Sequence, residues 1–145
     1  MVEEVAATAR MNTTRHTFSV EAPPQVEALV DPARIEQVIT NLVDNAVRYS
    51  PDGGLVEIAV AAREFWIEIA VRDHGIGIPA EHRTHIFDRF YRAHEGASVA
   101  GLGLGLYISN QIVKLHGGKI EMECPPDGGS RFVVTLPTTE GVSGD

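Results

Sequence analysis

The stretch Asp31-Pro32-Ala33-Arg34-Ile35-Glu36-Gln37-Val38-Ile39-Thr40-Asn41-Leu42-Val43-Asp44-Asn45-Ala46-Val47-Arg48-Tyr49-Ser50 reads as one long helix with two unlike faces. Asp31 can cap the first free N–H groups, and Pro32 suits the first helical position, where no N–H is needed. Ile35, Val38, Ile39, Leu42, Val43, Ala46 and Val47 follow as a single apolar stripe. The helix ends near Tyr49, ahead of the turn residues Ser50-Pro51-Asp52-Gly53-Gly54.

Upstream of that helix, Val2, Val5, Ala6 and Ala9 recur at helical spacing and predict a short amphipathic helix over 2–11. Thr17–Val20 reads as a strand ended by Pro23-Pro24, with Leu29-Val30 as a second short strand. Downstream, Leu55–Ala61 sets Val56, Ile58 and Val60 on one side. Phe65–Arg72 does the same with Phe65, Ile67, Ile69 and Val71. The short link Ala62-Arg63-Glu64 makes this pair an antiparallel hairpin. A glycine loop at 73–79 leads to a short helix and a segment rich in Phe and Arg at 86–92. Residues 93–105 are small and glycine-rich and read as a mobile loop. Leu106–His116 is helical and stops at Gly117-Gly118. Strands Lys119–Cys124 and Arg131–Leu136 flank the turn Pro125-Pro126-Asp127-Gly128-Gly129. With no repeat and no linker, residues 1–137 form one domain and 138–145 a flexible tail. Segregated hairpins and helices predict an α+β fold, with helices on one face of a mostly antiparallel sheet.

Composition narrows the function. A chain of 145 residues, 43% hydrophobic, can bury a core of one domain. Its apolar runs are too short for a transmembrane helix, and the acidic start Met1-Val2-Glu3-Glu4-Val5 is not a signal peptide. Cys124 is the only cysteine, so no internal disulfide forms, which suits a cytoplasmic location. A net charge of −8 gives no broad footprint for nucleic acid. The six histidines are scattered without zinc-ligand spacing, and no serine sits in a nucleophile elbow.

Three constellations remain. Gln37, Asn41, Asn45 and Arg48 share the face opposite the apolar stripe. Asparagine is a poor helix former, so two in mid-helix cost stability. An amide oxygen is a hard, neutral ligand acceptable to Mg²⁺ already held by phosphates, and Arg48 can meet a phosphate oxygen. A plain solvated helix face explains the same pattern. Asp73-His74-Gly75-Ile76-Gly77-Ile78-Pro79 follows an apolar strand. Its carboxylate can accept a hydrogen bond from a ligand amine, and its glycines admit a flat ring; a simple turn is the alternative. Gly101-Leu102-Gly103-Leu104-Gly105-Leu106 runs into a helix whose free N–H groups would suit an anion, or else it is a hinge. It is neither a Walker loop nor G-x-G-x-x-G. Phe87, Phe90 and Tyr91 read as core packing or as an aromatic plug under that loop.

The order of these elements resembles the catalytic, ATP-binding domain of bacterial sensor histidine kinases. That family shares a superfamily with gyrase, heat-shock chaperone and mismatch-repair ATPases. Asn41–Ser50 is similar to the asparagine box, Asp73–Ile78 to the first glycine box, and Ile86-Phe87-Asp88-Arg89-Phe90-Tyr91-Arg92 to the phenylalanine box. Gly101–Gly105 is similar to the second glycine box, while Leu115–Lys119 and Gly129–Phe132 resemble the closing hairpin. The likeness spans nearly the whole chain. It implies a two-layer α/β sandwich of the Bergerat type, a mixed, mostly antiparallel sheet covered on one face by helices.

The resemblance also implies roles. Asn45 would ligate Mg²⁺, with Asn41 one turn back beside the phosphates of ATP, and Arg48 and Arg92 would contact phosphate. Tyr49 would pack by the adenine. Asp73 would accept its amino hydrogen, with Ser130 near the same water. Gly75, Gly77 and Ile78 would shape the base pocket. Gly101, Leu102, Gly103 and Gly105 would hinge a lid, with Leu106 opening the helix that faces the phosphates. The partner would be a helical dimerisation and phosphoacceptor domain, and through it a response regulator, the isolated domain being a monomer. The parent kinase is open to anchorage in the inner membrane.

Two departures stand out. Residues 93–100 make a short lid, and no histidine is set in the family's acceptor segment, since His94-Glu95 runs into Gly96-Ala97-Ser98-Val99. The chain is therefore expected to be an excised fragment or to meet its acceptor in trans. Three other readings compete on the same fold: an anti-sigma-type serine kinase, a gyrase-like hydrolase and a non-catalytic nucleotide-binding module. The hydrolase would carry a glutamate where Asn41 stands, and an amide cannot take a proton.

Overall fold

A computed structural model describes residues 1–23, 30–89 and 104–138 of the chain. Among these, three helices and five strands follow in the order α1 (Val2–Asn12), β1 (His16–Glu21), α2 (Pro32–Arg48), β2 (Gly54–Ala62), β3 (Trp66–Asp73), α3 (Gly105–Leu115), β4 (Lys119–Glu123) and β5 (Ser130–Pro137). The cap of α2 forms as its sequence predicts, with the Asp31 carboxylate accepting from the N–H groups of Ala33 and Arg34.

The strands form one sheet in the order β1-β2-β3-β5-β4. β1 runs parallel to β2, and every other pair is antiparallel. A parallel pair cannot be closed by a tight turn, and here the crossover from β1 to β2 carries α2. The β2–β3 pair is the predicted hairpin, registered Val56 against Asp73.

Alternation decides which face is covered. Val56, Ile58, Ile67, Ile69, Val71, Phe132 and Val134 point inward and are buried, whereas Glu57, Glu68, Arg131 and Glu121 lie on the opposite side. That inner face meets Val38, Ile39, Leu42 and Val43 of α2, Val5 and Ala6 of α1, and Val113 of α3 in one core. The predicted two-layer α+β sandwich is thus the observed fold. The outer face is laced with ion pairs such as Arg131–Glu123, Arg72–Asp127 and Lys119–Glu121.

Some local expectations change. Val30 lies in a bend and extends no strand, and Leu29 is outside the described residues. Phe65 precedes β3 in the hairpin turn and is 50% exposed, because the register places Ile67 as the first inward residue. The helix expected after the glycine loop is a single 3₁₀ turn, Ala80–His82. No helix among the described residues is long and apolar enough to cross a membrane.

Candidate functional site

The inner-face register of β3 ends at Asp73, opposite Val56 on one side and Ser130 on the other. Asp73 is 1% exposed, so its carboxylate depends on internal donors. Gly75 N–H donates to Oδ1 at 2.9 Å and Ser130 Oγ donates to Oδ2 at 2.8 Å. A carboxylate offers about four acceptor positions, so these two bonds fix the group and leave capacity for a ligand donor.

The loop that follows is clamped to the end of α2. Ile76 N–H donates to the Tyr49 carbonyl at 2.9 Å. A methyl group at Gly75 would lie 1.9 Å from that same carbonyl, so only glycine fits. On the other side, a Cβ at Gly129 would lie 2.0 Å from the Asp73 carbonyl, and Gly129 has φ +78°. Gly77, at φ +71°, packs against the Gly129 carbonyl. Arg83 Nε and the Cys124 thiol both reach the Ile78 carbonyl, at 3.0 and 3.8 Å. Tyr49 and Ile78 themselves belong to the hydrophobic core.

The end of α2 is held from its far side as well. His16 Nε2–H donates to the Ser50 carbonyl at 2.8 Å and lies 3.0 Å from Ser50 Oγ, which donates to the Ala46 carbonyl at 2.6 Å. The other ring nitrogen faces the Thr13 hydroxyl at 2.8 Å.

The polar face of α2 is half-buried at Asn41 and Asn45. Asn41 Nδ2 donates to Ser109 Oγ at 3.2 Å and approaches the Gly105 carbonyl at 3.4 Å, both on α3. Asn45, one turn on, has a buried Nδ2 with no hydrogen-bond partner among the described residues, where buried amides are normally satisfied. Arg48 is exposed at the last turn. Asp44, on the neighbouring face, lines the groove against α1; burial raises its carboxyl above the usual aspartate value, with Arg48 pulling the other way.

α3 opens at Gly105 with no side-chain cap bond from Leu104, and the N-terminus of a helix suits an anion. Leu106 is in the core, and a methyl at Gly105 would make only ordinary contact with Asn41, at 3.9 Å. Arg92, Gly101, Leu102 and Gly103, with Phe90 and Tyr91, lie outside the described residues. Phe87 meets Phe132 edge-on at 6.2 Å, which makes it packing.

The structure thus gathers Asn41, Asn45, Arg48, Tyr49, Asp73, Gly75, Gly77, Ile78, Gly105 and Ser130 around the end of α2 and the start of α3. Ser109, Gly129 and His16 are further members that sequence reading does not single out. Ser109 carried a signal, a lone hydroxyl on the buried stripe with Leu106, Ile112 and Val113. His16 carried none.

The family described as histidine kinase-, DNA gyrase B- and HSP90-like ATPase matches residues 30–140. The chain belongs to this family. Among sensor kinases of the family, the adaptive-response sensory kinase SasA of Nostoc sp. is 35% identical over 130 residues, covering 88% of this chain and 32% of SasA. The chain therefore spans about a third of that relative's length. The mycobacterial sensor histidine kinase MprB superposes with a TM-score of 0.84 at 29% identity, covering 94% of this chain and 92% of that one. The catalytic domain of histidine kinase ThkA superposes with a TM-score of 0.81 at 28% identity, covering 94% and 91%.

Proposed function

We propose that this member of the ATPase family is the catalytic domain of a sensor histidine kinase, which binds ATP with Mg²⁺ and passes the γ-phosphate to a histidine on a separate helical dimerisation domain. One observation carries this reading. The loop that holds the buried Asp73 carboxylate is tied to the last turn of α2, which carries Asn45, by the hydrogen bond from Ile76 N–H to the Tyr49 carbonyl, so a candidate base reader and a candidate metal ligand share one frame.

In this frame Asp73 accepts the exocyclic amine of adenine, backed by Ser130. Gly75, Gly77 and Ile78 floor the base, and Tyr49 packs beneath it. Arg48 neutralises phosphate charge, and the free N–H groups of α3 supply partial positive charge at the same end. By resemblance, Arg92 adds a second guanidinium, and Gly101, Leu102 and Gly103 belong to the lid.

The residues fit Mg²⁺ in one particular way. Among the described residues no three His, Cys, Asp or Glu side chains cluster as a cage, so Asn45 would give one hard oxygen and the nucleotide and water the rest. Bound there, the ion neutralises charge that develops between the β- and γ-phosphates. Asn41 replaces the carboxylate that would activate water, so hydrolysis is slow and phosphate is kept for the acceptor.

The partner is a helical phosphoacceptor domain and, beyond it, a response regulator. The supply of ATP favours the cytoplasm as the place where this domain works. The relatives described above are sensor histidine kinases, which does not favour the serine-kinase reading.

Calorimetric titration with a non-hydrolysable ATP analogue, with and without Mg²⁺, tests the proposal. Micromolar to sub-millimolar binding that strengthens with Mg²⁺ is expected. No binding to a folded sample would leave a non-catalytic module.

A further inference from the structure

The buried stripe of α3 consists of Leu106, Ser109, Ile112 and Val113. Three are apolar and one is not. Ser109 is 0% exposed, and a hydroxyl so placed costs free energy unless it is bonded. Its bond is to Asn41 Nδ2, at 3.2 Å.

The second neighbour of that nitrogen decides the amide's orientation. The Gly105 carbonyl, at 3.4 Å, can only accept. An amide turned the other way would set oxygen against oxygen. Nδ2 therefore faces α3, and Oδ1 is turned away from it. Asn41 stands one turn before Asn45 on the same helix face, at a spacing that makes their side chains neighbours. An oxygen there cannot hydrogen-bond a phosphate oxygen, since both accept. It suits a divalent cation or the waters that surround one.

We propose that Ser109 is a positioning residue: beside the Gly105 carbonyl, which sets the sense of the amide, it is the nearer anchor that holds Asn41 Nδ2 on α3, so that oxygen, not nitrogen, is presented to the magnesium end of the nucleotide. The inference rests on the ATP–Mg²⁺ reading given above. The amide torsion of asparagine is soft, so an amide with one anchor removed samples the opposite orientation. Ser109 then matters to the metal-dependent part of binding and not to the metal-free part. A serine that merely tied α3 to α2 would affect both alike.

The test uses the chain as it stands, titrated with a non-hydrolysable ATP analogue in Mg²⁺ and in EDTA. Ser109→Ala weakens the Mg²⁺ complex about threefold to tenfold, the scale of one neutral hydrogen bond, and leaves the EDTA affinity unchanged. In an Asn41→Ala background the same change has no further effect. Ser109→Cys, nearly isosteric and a poor acceptor, behaves like Ser109→Ala and serves if the alanine variant does not fold. In the ligand-free protein, the side-chain NH₂ resonances of Asn41 shift toward solvent-exposed values in both variants. Equal losses in Mg²⁺ and EDTA, additivity with Asn41→Ala, or unmoved NH₂ resonances would each overturn the proposal. Failure of the unmodified chain to bind nucleotide would instead refute the functional reading, with the NH₂ resonances still reporting on the Asn41–Ser109 bond.

Discussion

At the scale of single residues, Asp73 and Gly75 carry the sharpest expectations. Asp73 receives two neutral donors, and in the proposed complex the adenine amine would be a third. In Asp73→Asn one face of the group becomes a donor and opposes Ser130 or Gly75. Nucleotide affinity should fall about ten- to a hundredfold, the scale of a hydrogen bond to a charged group. Unchanged affinity by titration would remove Asp73 from the base pocket. Gly75→Ala brings a Cβ to 1.9 Å from the Tyr49 carbonyl, where backbone meets backbone and neither yields easily. The expected cost is about 1–3 kcal/mol or more, read from denaturant unfolding. That Asp73 is a candidate was legible because a carboxylate directly after an apolar strand is unusual; its burial and its two donors came from the structure. The need for glycine at 75 was legible only as loop chemistry; that it makes room for the end of α2 required the tertiary structure.

At the scale of elements, α2 joins the two halves of the site. Its last turn is fixed by His16 on one side and by the 75–76 loop on the other. His16→Ala leaves the Ser50 carbonyl with the Gly53 N–H as its remaining donor, and a loss of about 0.5–1.5 kcal/mol in unfolding free energy is expected. His16→Gln, which keeps an N–H of similar reach, should recover part of it. Asn45→Ala should weaken binding in Mg²⁺ more than in EDTA; equal losses would make Asn45 structural. Asp44 gives α2 a pH signature. Its carboxyl is raised in the fold, so the folded state favours the protonated form, and the charged form opposes folding at neutral pH. Asp44→Asn should therefore raise the melting temperature at neutral pH, with the gain fading as pH falls into the ordinary aspartate range. Absence of that trend in melting curves would show that the side chain is fully solvated.

At the scale of the molecule, the core that α2 closes over the sheet sets the stability margin. Leu42 is fully buried in it, and Leu42→Ala should cost about 2–5 kcal/mol, a large part of the 5–15 kcal/mol typical of a domain. Denaturant midpoints measure this. On the proposed function the dimerising helices would belong to another domain, so the isolated chain should sediment as a monomer; a dimer at micromolar concentration would contradict that. Periodicity alone determined the helix of residues 32–48, the β2–β3 hairpin and the inward strand residues other than Phe65, because each depends on neighbours within a few positions. It left the parallel pairing of β1 with β2 open, since pairing across a helix has no local signature. Likewise the 41–45 face read equally well as solvated. Only the packing of α3 against α2 decided that Asn41 meets Ser109, because two helices far apart in sequence must be brought together before a polar face acquires a partner.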